Sequence, residues 1–218
     1  SRGLGDVYKR QDKTTIDIAQ MVLNKINKDL VRRLSKLGVK AIGISGQDGK
    51  MLHVKKKEMA DGKDLGFVGQ IDHVDSEIIK NILDRDYVPI ICPIGYDDEY
   101  LPYNINADDA AYSVATSLKA AKLAFLTDVE GLYSDFNDKS TLISEIRIDD
   151  AKALLQSGDI KGGMIPKLTN CISAIEKGVS RVHILDGRIP HSLLLEIFTN
   201  KGVGTAIIGN NEEKFMKD

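Results

Sequence analysis

Three short stretches of the sequence hold residue types whose spacing could do chemistry. Residues 103–111, YNINADDAA, place Asn104 and Asn106 just before an apolar-periodic run and follow them with Asp108 and Asp109. One Asn is enough to cap a helix by accepting the orphan amides of its first turn. Two Asn and two Asp exceed that need, and an Asn amide also offers donors that suit a bound carboxylate. Residues 125–133, FLTDVEGLY, read as a strand running into Asp128 and a turn at Gly131. This is either an ordinary loop or a nucleotide wall, with backbone groups and Tyr133 beside a base or ribose. Residues 161–167, KGGMIPK, join two glycines to a helix start in which Pro166 is tolerable only in the first turn. Helix N-termini attract anions through free amides and the macrodipole, so a cationic Lys167 there either asks for an anion or is simply solvated.

Other common chemistries lack their motifs. The sequence has no GxxxxGK[ST] phosphate loop, no HExxH, no CxxC and no GxSxG. His53, His73, His183 and His191 lack ligand spacing, so no metal site is expected. Cys92 and Cys171 sit in apolar or helix-periodic stretches and read as small buried hydrophobes. With 30 Lys+Arg against 32 Asp+Glu in 218 residues, the net charge of −2 removes the electrostatic footprint of a nucleic-acid binder. Apolar runs stop short of the ~20 residues of a membrane helix, and no signal segment is present, so a soluble cytoplasmic protein is expected.

The elements that must position these stretches follow from periodicity. Ile16, Ala19, Val22, Leu23, Ile26, Leu30, Leu34 and Leu37 form one apolar stripe on a helix over 14–37, with Thr14 and Asp17 at its start and Gly38 at its stop. Strands are predicted over 39–45, 51–57, 88–94, 122–127, 181–185 and 203–208. Helices are predicted over 76–83 (capped by Asp75), from Asn106 or Asn104 to Leu118, from Asp149 to Gln156, over 162–177 and over 191–199. The run Lys55, Lys56, Lys57 reads as the solvated edge of a polar hairpin. The alternation predicts an α/β fold with a mainly parallel central sheet and helices on both faces. Ligands in such sheets collect beyond the carboxyl ends of strands, which singles out the junctions 93–108, 127–133 and 186–191.

In combination, YNINADDAA, FLTDVEGLY, GGMIPK and RVHILDGRIPHSLLLEIFTNKGVGT, with KINKDLVRRLSKLGVKAIGISGQDGK and DLGFVGQIDHVD, resemble the N-acetylglutamate kinases of the amino acid kinase family. The resemblance runs from Asp12 to about Ile208. It implies an αβα sandwich and phosphorylation of the side-chain carboxylate of N-acetyl-L-glutamate by ATP, with Mg2+ carried by the nucleotide, in arginine biosynthesis. By motif, it implies that Asn104 binds acetylglutamate, Asp108 organises the catalytic lysines and Lys167 stabilises the transferring phosphoryl group. Asp128, Val129, Glu130, Gly131, Leu132 and Tyr133, with Gly162, Gly163 and Met164, would line the nucleotide. The closing segment resembles the arginine-inhibited branch, with His183, Glu196 and Gly202 at the matching positions. The residues themselves leave open an exposed Glu196 and a merely satisfied strand histidine. Another carboxylate acceptor, or a non-catalytic arginine-binding module, remains an alternative.

The resemblance also sets expectations about organisation. Residues 1–11 read as a foreign leader, 12–118 as an incomplete acetylglutamate-binding lobe and 119–218 as a nucleotide-binding lobe. The family's K-x-G-G strand and HGGG loop have no match before Asp12, so a fragment lacking its front third, inactive and prone to aggregate, is expected. Arg10 falls near the family's GLRVT-like motif without matching it, and no role is carried over to it. A homodimer through the first lobe is implied. The hexamers of the arginine-sensitive branch use an N-terminal helix that this sequence does not match.

Overall fold

The computed structural model of the chain describes residues 10–58, 62, 64–135, 138–160, 162–199 and 202–212. They belong to two compact units, one reaching to Leu118 and one beginning at Lys119. Most of the expected leader, up to Lys9, lies outside the described residues. Gln11 is already tied into the first unit, its amide donating to Leu65 O and its carbonyl accepting from Phe67 N, both at 2.9 Å.

The first unit opens with α1 (Lys13–Lys36), whose cap is Asp12 rather than Thr14 or Asp17: its carboxylate accepts from Thr15 N at 2.8 Å. Strands β1 (Ala41–Ser45), β2 (Leu52–Glu58) and β3 (Asp64–Val74) lead to α2 (Glu77–Leu83). Then come β4 (Val88–Cys92), β5 (Ile94–Tyr96), β6 (Pro102–Ile105) and α3 (Ala107–Leu118). β1 and β4 pair in parallel, while β2, β3, β6 and β5 close into a small barrel. Met51, Leu52, Val54, Ile79, Tyr103, Ile105 and Ala110 fill one core cluster, and Ile16, Cys92 and Ile94 another. Burial pushes the Cys92 thiol up to about 11, so it is the inert hydrophobe that its context predicts.

The expected single stripe of α1 divides in two. Ile16 is buried and Leu23 and Leu34 are half-buried, but Val22, Ile26, Leu30 and Leu37 are exposed together with Ile18. The buried centre of the inner face is polar. Asn27 lies under the helix with its Nδ2 donating to Ile90 O of β4 at 2.6 Å and Ile44 O of β1 at 3.3 Å. Gly43 makes this possible, because a β-carbon there would stand 1.9 Å from Asn27 Oδ1.

The second unit holds β7 (Lys122–Thr127), β8 (Leu132–Tyr133), β9 (Leu142–Ile143), β10 (Glu145–Arg147), α4 (Ile148–Gln156) and α5 (Met164–Glu176). β11 (Arg181–Asp186), α6 (Ser192–Phe198) and β12 (Thr205–Ile208) follow. Its main sheet has the order β10-β12-β11-β7, with β11 buried along its whole length. β11 runs parallel to β7, but β12 runs antiparallel to β11. Arg147, not Asp149, holds the cap position of α4; Asp149 instead accepts from Asn210 Nδ2 at 2.7 Å.

The α/β class therefore holds, whereas the strands of the described residues are divided among four sheets rather than one mainly parallel sheet. Two physical causes account for this. Polar–apolar alternation lets β2 and β3 pair as a hairpin that closes on β5 and β6 instead of joining a layered sheet. A continuous apolar run such as 205–208 signals burial on both faces but not strand direction.

Candidate functional site

In the second unit the carboxyl ends of β7 and β11 lie side by side, with Thr127 opposite Asp186. The amide of Gly187 donates to Thr127 O at 2.8 Å, tying the two following loops together. Thr127 Oγ1 donates to Asp128 at 3.3 Å, Val129 follows, and Glu130 accepts from Tyr133 Oη at 2.5 Å and Lys139 Nζ at 2.9 Å. The lysine bond, then the tyrosine bond, hold Glu130 below its ordinary value. Burial, then the Glu130 carboxylate, push Tyr133 up to about 12, so its hydroxyl stays protonated. Leu132 N donates to the buried Thr205 Oγ1 at 2.8 Å, and a β-carbon on Gly131 would lie 2.4 Å from that oxygen. The FLTDVEGLY loop is thus braced against the loop after β11 and the start of β12.

Sequence reasoning missed the strongest charge pair at this end. Asp186 is buried and accepts from three groups of Arg188: its amide at 2.8 Å, its Nε at 2.9 and 3.3 Å and its Nη2 at 2.8 Å. Arg188 holds the carboxyl down to about 2. The signal was an Asp at a strand end two residues before an Arg, inside the singled-out junction 186–191, but nothing local announces burial.

The GGMIPK stretch reaches the same strand. Gly162 takes φ +61°, Gly163 precedes the helix, and α5 begins at Met164. Lys167 Nζ lies 5.0 Å from the centre of the Phe125 ring. Phe125 is two residues before Thr127 on β7, so both side chains share one face of the strand. The structure brings the Lys167 ammonium and the 127–133 loop to one end of one sheet, around an anion-attracting helix start.

On β11 lies the third cluster. His183 Nδ1 is 2.9 Å from Glu196 Oε1, and the other Glu196 oxygen accepts from Val203 N at 2.9 Å and Gly204 N at 3.2 Å. The Glu196 side chain is 4% exposed, which excludes a surface helix position. Burial raises the Glu196 carboxyl, but the His183 bond and the two amides outweigh it and leave the group below its ordinary value. His183 Nε2 is buried without a hydrogen-bond partner among the described residues. It borders a cavity lined by Lys122, Glu145, Arg181, Glu196 and Gly202.

In the first unit Asn104 lies on β6 between Ile94 of β5 and Val68 of β3. Asn106, not Asn104, is the cap: its Oδ1 accepts from Asp108 N at 2.8 Å and Asp109 N at 3.3 Å. Asn104 is thereby released from capping, and Asp108 is half-buried in the first turn of α3. A cavity of about 280 Å³, lined among others by Arg10, Lys56, Asp64, Phe67 and Tyr103, opens beside this segment. Nor is the lysine run simply solvated. Lys55 pairs with Asp72 at 2.6 Å, Lys56 with Asp64 at 2.7 Å and Lys57 with Asp109 at 3.6 Å. Asn104 and Asp108 thus belong to one unit, and Lys167 with the 128–133 and 162–164 segments to the other. Among the described residues, no three His, Cys, Asp or Glu side chains converge as a metal cage.

The model of the amino acid kinase family matches residues 1–186. The chain belongs to the amino acid kinase family. Among amino acid kinase sequences, it is 56% identical over 196 residues to the acetylglutamate kinase of Campylobacter jejuni subsp. jejuni serotype O:2, covering 90% of this chain and 68% of that relative. Among solved structures, it resembles N-acetylglutamate synthase from Neisseria gonorrhoeae complexed with coenzyme A and N-acetyl-glutamate. That match has a TM-score of 0.82 and 27% identity over 94% of this chain and 45% of the synthase. The same synthase complexed with coenzyme A and L-arginine matches with a TM-score of 0.73 and 27% identity, covering 91% of this chain and 46% of the synthase. No helix among the described residues is long and apolar enough to cross a membrane.

Proposed function

We propose that this amino acid kinase transfers the γ-phosphoryl group of ATP to the side-chain carboxylate of N-acetyl-L-glutamate, giving N-acetyl-L-glutamyl 5-phosphate in arginine biosynthesis. The observation that carries this reading is the 56% identity with an acetylglutamate kinase, which extends over 196 residues and so spans both units. The nucleophile is a carboxylate with a reference pKa near 4.3, ionised at neutral pH, so no general base is needed. Catalysis then rests on positioning and positive charge. Lys167 supplies charge to the transferring phosphoryl group, and the amides at the start of α5, behind Gly162, Gly163 and Met164, take the phosphates. Asp128, Val129, Glu130, Gly131, Leu132 and Tyr133 line the adenosine. Mg2+ enters with the nucleotide and screens its phosphate charge.

Asn104 offers its amide to the acceptor, and Asp108 organises rather than deprotonates. The enzyme is a cytoplasmic α/β protein. It dimerises through the first unit, where Ile18, Val22, Ile26 and Leu30 leave an apolar stripe exposed on α1. Acetylglutamate-dependent ADP formation by the purified protein tests the reaction. Activity with another carboxylate acceptor and none with acetylglutamate would replace the substrate.

Feedback by L-arginine is the regulatory part of the reading. The Glu196 carboxylate is suited to a guanidinium, and His183 and Gly202 border the same cavity, which at about 30 Å³ must widen to admit arginine. A non-catalytic arginine-binding module is the second reading, because that cavity is built wholly from the second unit. It predicts thermal stabilisation by arginine without any effect of MgATP, whereas the kinase is stabilised by MgATP as well.

A further inference from the structure

We infer that Lys57 is a positioning residue of the acceptor site, holding the Asp109 carboxylate so that the first turn of α3 can receive an anionic substrate; this rests on the kinase reading above. Three lysines stand in a row, but they are not equivalent. The side chains of Lys55 and Lys56 are 70% and 48% exposed, whereas that of Lys57 is 19% exposed. Lys55 and Lys56 pair with carboxylates of β3, while Lys57 leaves the hairpin and reaches Asp109 of α3 at 3.6 Å.

The backbone accounts for the difference. The β2–β3 register shifts between Lys56 and Glu58, and such a bulge re-aims a side chain out of strict alternation. Lys56 pairs with Gly69 of β3, and the neighbouring Val68 pairs on its other side with Asn104 of β6. Lys57 and Asn104 therefore flank β3 at nearly the same level, their backbones about two strand spacings or ~10 Å apart.

Charge gives the arrangement its consequence. Asp108 and Asp109 suit the positive end of the α3 dipole, but both repel an acetylglutamate dianion arriving at Asn104. An ammonium beside Asp109 cancels one of those two charges. It leaves Asp108 to its organising role. The partly sheltered pair is screened less by salt than the exposed lysine pairs beside it.

The test is calorimetric titration of acetylglutamate into the 218-residue chain with a non-hydrolysable MgATP analogue present. Lys57→Met should weaken acetylglutamate binding about tenfold and leave MgATP binding unchanged. Lys57→Arg should restore most of the affinity, and so should Asp109→Asn added to Lys57→Met, since the first returns a cation to Asp109 and the second removes its negative charge. Lys57→Gln serves in place of Lys57→Met if thermal melts show the latter to be unfolded. Binding within twofold of wild type in the neutral variant overturns the inference and leaves the kinase reading standing. A loss that Asp109→Asn does not recover overturns it as well, because Lys57 would then not act through Asp109. Absence of acetylglutamate binding by the wild-type chain removes the acceptor-site reading itself, and the inference with it.

Discussion

Gly202 lies so close to the Glu196 carboxylate that a β-carbon there would stand 2.5 Å from Oε2. The contact explains why the carboxylate can lie flat against the loop ahead of β12 and take both the Val203 and Gly204 amides. Gly202→Ala should displace Glu196 from those amides, lower the melting temperature and abolish stabilisation by arginine. Differential scanning fluorimetry with and without arginine checks both effects, and an undiminished arginine response would disconnect Glu196 from the ligand.

Glu196 also makes stability depend on pH. Its folded-state value lies below the ordinary 4.5, so the stabilisation it provides is present above that value and is lost as pH falls through the lower one. Glu196→Gln should therefore melt below wild type at pH 7, and the gap should close as pH falls below 4.5 and through the lower folded-state value. Paired thermal melts across that range decide the matter; a constant gap would mean that the carboxylate's charge is irrelevant.

Asp186 and Arg188 make a sharper version of the same argument. Arg188 holds the Asp186 carboxyl down to about 2 from 3.8, so this contribution survives until pH falls between those values. In Arg188→Met the carboxyl should titrate above about 2, as carbon-detected NMR of the side chain would record. Nucleotide binding should weaken at neutral pH, because the loop after β11 is bonded to the loop after β7 through Gly187 and Thr127.

In a chain that also carries the family's K-x-G-G strand and HGGG loop, Lys167→Ala should lower turnover by about 10²–10³, the scale for one lost transition-state donor. The loss should fall on kcat more than on KM for acetylglutamate, since Lys167 stands over Phe125 in the second unit and Asn104 lies in the first. Steady-state kinetics varying each substrate in turn measures the split. Unchanged kcat would take Lys167 out of phosphoryl transfer.

What the sequence made legible was what neighbouring residues decide. The start of α5 follows from two glycines and a proline within five residues, and the α3 cap from an Asn ahead of two acidic residues. What escaped depends on partners far along the chain. Lys57 reads as hairpin surface until Asp109, fifty-two positions later, is seen beside it. The residues alone leave open an exposed Glu196 until His183 and the 203–204 amides are seen to close over it. Periodicity drew one stripe on α1 because it cannot distinguish a residue facing β1 and β4 from one a third of a turn away. It also gave no reason to place an amide at the centre of the inner face.

That amide restricts how the first unit can deform. Asn27 donates to one carbonyl on each of two parallel strands, so α1 is pinned at a single height across the seam between them. Sliding the helix by one turn would strand both buried N–H groups of the Asn27 amide. Any movement that substrate imposes on this part of the molecule must carry helix and strand pair together, as one piece.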